Sequence, residues 1–279
     1  MTPQEFSLVT ELARRVAGLV FTPDKAYLVE ARLAPLLRDR QMSKVSELVN
    51  ALRRGEAELV ADVVDALTTN ETSFFRDKVP FARFRDEILP ALAARRKGAL
   101  VKVWCAACST GQEPYSLAIL MERAAKAFPG VTLDILGSDI SHTCLESAYE
   151  GLYSQFEVQR GLSTADLVLH FEAEGKSWRL QRRLRDAVRW RQFNLLHSPS
   201  SLGRFDVVFC RNVLIYFDTE TRGRVLEQIA TVMAPDGYLI LGAAETVLGL
   251  TDAFEAAPGA PGVYRPVSLS QRGKRAVTR

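Results

Sequence analysis

The chain is poor in the residues on which metal-dependent and nucleophilic catalysis usually rests. It has four cysteines and three histidines in 279 residues. The histidines (His142, His170 and His197) are scattered, and no Ser–His–Asp or Cys–His arrangement is visible. Cys105 and Cys108 form a C-x-x-C pair, but no second ligand pair sits at zinc spacing and no redox helix follows the pair directly. They read as small buried residues at a strand end. Four cysteines in a chain of this length make no disulfide framework. Charge of one sign is lacking too: a net charge of +3 is too small to argue for nucleic acid. No apolar run reaches membrane-spanning length, and the first residues lack a signal-peptide pattern. A cytoplasmic protein without membrane insertion is expected.

What the sequence does have is a helical opening followed by alternating strands and helices. Thr2-Pro3-Gln4-Glu5 reads as a capping box with proline at the first helical position, and Gly18 closes the helix. Thr22-Pro23-Asp24 opens a second helix whose outer face carries Lys25, Arg32, Arg38 and Arg40. Two further helices are expected over about 45–53 and 56–67. No strand pattern occurs here, so residues 1–70 form a small helical domain. Residues 71–98 are read as a linker loop and a helix over 79–97. The loop mixes Asn70, Glu71, Thr72 and Ser73 with Phe74, Phe75 and Arg76. A polar loop belongs in water while two adjacent aromatics demand burial, and both needs are met if the loop lines an interior cleft.

The centre of the chain is the stretch from Val103 to Ser116, in which an apolar strand ends at Cys108-Ser109-Thr110-Gly111 and a helix is expected over 114–127. A strand, tight turn and helix place a ligand on helix N-terminal amides. A second strand ends at Asp139, an acidic position that commonly accepts hydrogen bonds from ribose hydroxyls. Residues from about 151 to 187 interrupt the rhythm with a helix near 163–171 and a hairpin turning near Gly175, rich in Lys176, Arg179, Arg182, Arg183 and Arg185. The rhythm then resumes with strands over 188–193, 205–210 and 238–242, a turn at Pro235-Asp236-Gly237, and a closing hairpin within 253–267. The alternation predicts a mostly parallel sheet covered on both faces. The tail over 268–279 is expected to be disordered.

Four motifs in this order carry a close resemblance to the CheR family. They are Thr69-Asn70-Glu71-Thr72-Ser73-Phe74-Phe75-Arg76, Ala107-Cys108-Ser109-Thr110-Gly111-Gln112-Glu113-Pro114-Tyr115-Ser116, Asn194-Leu195, and Phe209-Cys210-Arg211-Asn212-Val213-Leu214-Ile215-Tyr216-Phe217. The resemblance implies an S-adenosyl-L-methionine-dependent methyltransferase that esterifies glutamates on the cytoplasmic helices of chemoreceptors, with S-adenosyl-L-homocysteine as product and no metal. It implies an α/β class I (Rossmann-like) methyltransferase fold over 99–267, a small all-helical N-terminal domain and an inserted antiparallel β-subdomain. Asn70, Thr72, Arg76, Glu113, Asp139, Asn194, Leu195, Arg211 and Asn212 would contact the cofactor, with Arg76 and Tyr216 close to the transferred methyl. The second helix and the inserted hairpin would face the receptor, and the enzyme would work in the cytoplasm at receptor arrays.

The chain departs from the family pattern in three places. Gln112 replaces a usual glutamate, Gly242-Ala243-Ala244-Glu245 replaces a usual Gly-His-Ser-Glu, and the hairpin turn at Gly175 is short. Family members that bind a receptor's C-terminal pentapeptide have a longer loop there, so independence from such a tether is expected. A glutamate acceptor is ionised at neutral pH, with a reference pKa of about 4.3, and needs no general base. A cofactor-binding docking module, or a methyltransferase with another acceptor, stays open as an alternative.

Overall fold

A computed structural model describes residues 1–95 and 100–268. The chain opens with four helices: α1 (Pro3–Ala17), α2 (Ala26–Asp39), α3 (Val45–Arg53) and α4 (Ala57–Leu67). Thr2 and Glu5 form the expected reciprocal capping box, and Gly18 ends α1 in a left-handed conformation. A loop leads into α5 (Val79–Arg83), a wide π turn (Phe84–Ile88) and α6 (Leu89–Arg95). The expected 79–97 helix is therefore continuous as far as Arg95, and its last two residues lie outside the described ones. Pro90 offers no N–H for the helical ladder, and the chain accommodates it beside the π turn.

The alternating part follows. β1 (Leu100–Ala106), α7 (Gln112–Ala124), β2 (Thr132–Asp139) and α8 (His142–Glu150) come first. An insertion contributes β3 (Leu152–Ser154), α9 (Gln155–Gln159), α10 (Thr164–His170), β4 (Phe171–Glu174), β5 (Ser177–Leu180) and α11 (Arg182–Arg185). β6 (Val188–Gln192), β7 (Phe205–Cys210), α12 (Thr219–Thr231), β8 (Met233–Leu241), β9 (Phe254–Ala256) and β10 (Val263–Pro266) complete the fold. The main sheet runs β6-β2-β1-β7-β8-β10-β9, and the inserted strands form a separate antiparallel sheet, β3-β5-β4. β6, β2, β1, β7 and β8 are parallel, while β10 is antiparallel to both of its neighbours. The order reverses between β1 and β7, so the connections that leave their paired carboxyl ends part to opposite sides and open a crevice, the usual ligand position in such sheets.

Two elements begin elsewhere than the sequence suggests. α7 starts at Gln112, with Gly111 at φ 91° as its N-cap, which places Pro114 third rather than first in the helix. The first four amides of a helix have no partner within it, so proline is tolerated there as well. Pro235-Asp236-Gly237 is no turn between elements. It lies inside β8, where the pairing with β7 shifts register between Phe205 and Val207. Gly237 is required at that irregularity, because a Cβ would come within 2.7 Å of the Asp206 carbonyl oxygen.

Strand alternation divides the core into two. Trp104, Ala106, Val208, Cys210, Leu239 and Leu241 face α12 and the four N-terminal helices. Val103, Cys105, Val207, Phe209, Tyr238 and Ile240 face the α5–α7 side. Each large side chain buried this way stabilises the fold by about 1.5–3 kcal/mol. The N-terminal helices thus share one core with the sheet, and Val16, Val20 and Arg14 bond to Asn194, Tyr216 and Asp218 across the contact.

The insertion is anchored against the 71–78 loop at Gly161. This glycine has φ +97°, and a Cβ there would lie 1.7 Å from the Phe74 carbonyl oxygen. Gly161→Ala is therefore expected to lower the free energy of unfolding by about 2–4 kcal/mol in urea titrations. A loss below about 0.5 kcal/mol, the scale of an ordinary surface change, would contradict this close approach.

Candidate active site

The crevice between β1 and β7 opens into a cleft with about 860 Å³ of empty space including its open mouth. All ten residues expected at the site line it: Asn70, Thr72, Arg76, Glu113, Asp139, Asn194, Leu195, Arg211, Asn212 and Tyr216. They arrive from five segments of the chain. The linker brings Asn70, Thr72 and Arg76, the end of β1 and start of α7 bring Ser109 and Glu113, and β2 ends in Asp139. The segments after β6 and β7 bring the rest. One hydrogen bond ties the linker to the strand-end turn, since Ser109 Oγ donates to the Asn70 carbonyl at 2.8 Å.

The cleft has a charged inner wall. Arg211 is buried, and its Nη1 donates to Glu113 Oε2 at 2.7 Å while Nη2 donates to Asp77 Oδ2 at 2.7 Å and to the Arg76 carbonyl at 2.9 Å. Its Nε is buried without a hydrogen-bond partner among the described residues. Burial pushes the Glu113 carboxyl above its usual range, and the Arg211 guanidinium pulls it back. Burial likewise raises Asp139, opposed by backbone amides. Of these, Ser109 N–H donates to Oδ2 at 2.8 Å and Ser141 N–H to Oδ1 at 3.0 Å. Cys108 also lines the cleft, and burial lifts its thiol well above the ordinary value, so it stays protonated and unreactive. No histidine is among the lining residues.

Several expected residues are committed to the protein itself. Asn194 donates through Nδ2 to the Val16 carbonyl at 2.7 Å and accepts from Leu196 N–H at 3.0 Å, so its side chain fastens α1 to the wall. Asn212 takes φ 59°, a left-handed conformation that asparagine tolerates better than most residues. Tyr216 is half-buried at the wall, and its carbonyl accepts from Val20 N–H. Arg76 donates to the Glu71 carbonyl at 2.7 Å.

Glu245 is a structural residue of the site whose role was not visible in the sequence. Its buried carboxylate accepts from the backbone amides of Asn212, Val213, Leu214 and Gly242 at 2.8–2.9 Å. It thereby shapes the turn that carries Asn212 and Tyr216. Nothing in a run of Gly-Ala-Ala-Glu signals this; only the folding of β8 beside β7 brings the acid to those amides.

The two basic faces are largely spent on internal contacts. On α2, Arg32 donates to the Leu67 carbonyl and to Thr69 Oγ1, both at 2.6 Å, and Arg40 pairs with Asp62. Lys25 and Arg38 are exposed and have no ionic partner among the described residues. In the insertion, Arg179 pairs with Glu174, Arg182 with Asp186 and Arg183 with Glu122, while Arg185 donates to the Leu180 carbonyl.

The whole chain has counterparts among known proteins. The all-alpha domain of CheR methyltransferases matches residues 4–68, and their SAM binding domain matches residues 70–263. A chemotaxis protein methyltransferase of Vibrio cholerae is 38% identical over 267 residues, covering 94% of this chain and 96% of that protein. One from Pseudomonas aeruginosa is 38% identical with 94% and 97% covered, and one from Pseudomonas putida is 36% identical with 93% and 96% covered. The buried Asp139 and Glu113 are acceptors of the kind that a ribose and a charged amino group require, so the lining fits S-adenosylmethionine in the cleft. With both domain models matched in order and over nearly its full length, the chain belongs to the CheR family and is an S-adenosylmethionine-dependent methyltransferase.

Proposed function

We propose that the enzyme methylates glutamate side-chain carboxylates on the cytoplasmic helices of chemoreceptors, forming glutamyl methyl esters in chemosensory adaptation. The relatives named as chemotaxis protein methyltransferases support the pathway. The observation that carries the choice of acceptor is the lining of the cleft. It offers two arginines and a tyrosine hydroxyl but no histidine, and its carboxylates are already engaged, Glu113 and Asp139 by hydrogen bonds and Glu71 by an ion pair with Arg160. An alcohol or amine acceptor needs a group to take its proton. A glutamate acceptor is already an anion near neutral pH.

The residues then have distinct tasks. S-adenosylmethionine supplies a methyl group on a positively charged sulfur. Asp139 would accept from ribose hydroxyls, and Glu113 from the cofactor's amino group, with Arg211 opposing the upward push of burial on the Glu113 carboxyl. Asn70, Thr72, Asn194, Leu195 and Asn212 complete the cofactor's walls. Arg76 orients the incoming carboxylate by a charge-assisted hydrogen bond, and Tyr216 donates a hydrogen bond near the methyl. A cleft that excludes water would favour the meeting of an anionic acceptor with a cationic methyl donor, and in-line placement is the protein's main contribution. Lys25 and Arg38 on α2 and Lys176 at the hairpin tip are the basic side chains left to meet an acidic receptor surface. The work is done in the cytoplasm; among the described residues no helix is long and apolar enough to cross a membrane.

Incubation with radiolabelled methyl donor and receptor cytoplasmic fragments is expected to place base-labile label on glutamates. Arg76→Ala is expected to abolish the transfer, with the melting temperature retained. Cofactor binding without transfer, or label on another residue type, would refute the acceptor.

The turn between β4 and β5 consists of Gly175 and Lys176 alone, too short to add a binding loop. A free receptor C-terminal pentapeptide should therefore show no saturable binding in calorimetry. A tight, saturable complex would reject tether independence.

A further inference from the structure

The loop that delivers Arg76 has an unfavourable backbone. Phe75, Asp77 and Lys78 all have positive φ (48°, 67° and 51°), and none of them is glycine. At Lys78 the ψ of −47° lies outside even the left-handed helical region. The Val79 N–H donates across it to the Asp77 carbonyl, closing a three-residue γ-turn of the rare, strained hand. Residues in such conformations persist only where their surroundings hold them.

Phe75 packs edge-to-face on Phe81 beneath the Arg123 guanidinium, and a second guanidinium holds the residues that follow. Arg211 grips two consecutive residues of it, through the Arg76 carbonyl and the Asp77 carboxylate, while its other nitrogen is fixed by Glu113. The Phe75 N–H adds a bond to Ser116 Oγ at 2.8 Å. Asp77 is the only one of these contacts on the loop that carries a charge. Its carboxylate also meets Arg211 from the side opposite to the helix α7 contact, so the buried cation is held between two acids.

We propose that Asp77 is a positioning residue: through its ion pair with Arg211 it locks the strained 75–78 turn and thereby fixes Arg76 in the cofactor cleft. The inference rests on the reading of Arg76 as the group beside the transferred methyl. Without the Asp77 charge, the turn relaxes to ordinary negative φ values and Arg76 leaves its place. Arg211 itself stays where Glu113 holds it.

Three variants separate this role from a simple loss of charge. Asp77→Asn keeps the shape and the tolerance for positive φ but removes the charge. Lys78→Gly removes the steric cost at the γ-turn, at an exposed residue without an ionic partner among the described ones. The methyl-transfer assay with receptor fragments gives kcat and KM, S-adenosylhomocysteine affinity is read by calorimetry, and melting temperature reports folding. Asp77→Asn is expected to lower kcat by about tenfold or more at an unchanged melting temperature. Lys78→Gly alone is expected to match the unsubstituted enzyme, and the double variant to recover most of the lost kcat, because a turn without strain needs less holding.

Arg76→Ala inactive together with Asp77→Asn within about twofold of normal kcat would overturn the proposal and leave the reading of Arg76 standing. A double variant as slow as Asp77→Asn would overturn the strain lock. Arg76→Ala near full activity would overturn both.

Discussion

A buried guanidinium constrains the site more than any other group. Arg211 sits at the end of β7 with its charge out of water, a placement that is tolerable only when acids and carbonyls answer it. Its partners come from α7 and from the linker loop, so pairing the charge also fixes the distance between those two segments. Removing the buried partner Glu113 from such a pair typically costs about 3–5 kcal/mol, most of it from the charge left behind, whereas the half-exposed Asp77 leaves its end of the pair open to water. The mirror case stands a few residues away. Glu245 is a buried acid, and four backbone amides answer it. Between them the cation fixes the outer loop and the anion fixes the turn after β7.

The cleft is consequently a joint between domains rather than a pocket in one of them. The strand-end turn at Cys108–Gly111 supplies one wall, the Asn70–Arg76 loop another, and Ser109 bonds the two directly. Asn194 adds a further tie, from the end of β6 back to α1. Helices that make no sheet contact in the sequence pattern thus bear on the geometry of the cleft through a shared core. The chemistry proposed for this cleft is modest. An ionised acceptor needs alignment and exclusion of water, and both are properties of how segments are held together.

Much of this was legible in the sequence because it follows from local rules. The capping box at Thr2, the hairpin at Gly175, the apolar β7 and the acid ending β2 each follow from residue type and spacing. The four motifs marked which loops converge. Other features depend on the partner across a contact and so left no local mark. Pro114 looks like a helix start, yet Gly111 turns the chain one step earlier and the helix begins at Gln112. Pro235-Asp236-Gly237 has the composition of a turn, but pairing with β7 draws it into the sheet as a bulge. The arginines of α2 and the insertion look like a docking face by charge alone, and most are consumed internally, Arg32, Arg40 and Arg183 by groups distant in sequence and Arg179 by Glu174 across the hairpin. The same holds for the bond between Asp77 and Arg211, whose 134-residue separation no periodicity can bridge.

On the proposed reading, linker and sheet bind the cofactor together. Hydrogen exchange with and without S-adenosylhomocysteine probes this at both walls at once. The product is expected to slow exchange at amides in 69–78 as well as in 107–113 and 211–216, to a comparable degree. Protection confined to the strand-end turn, with the 69–78 loop exchanging as in the free enzyme, would contradict it.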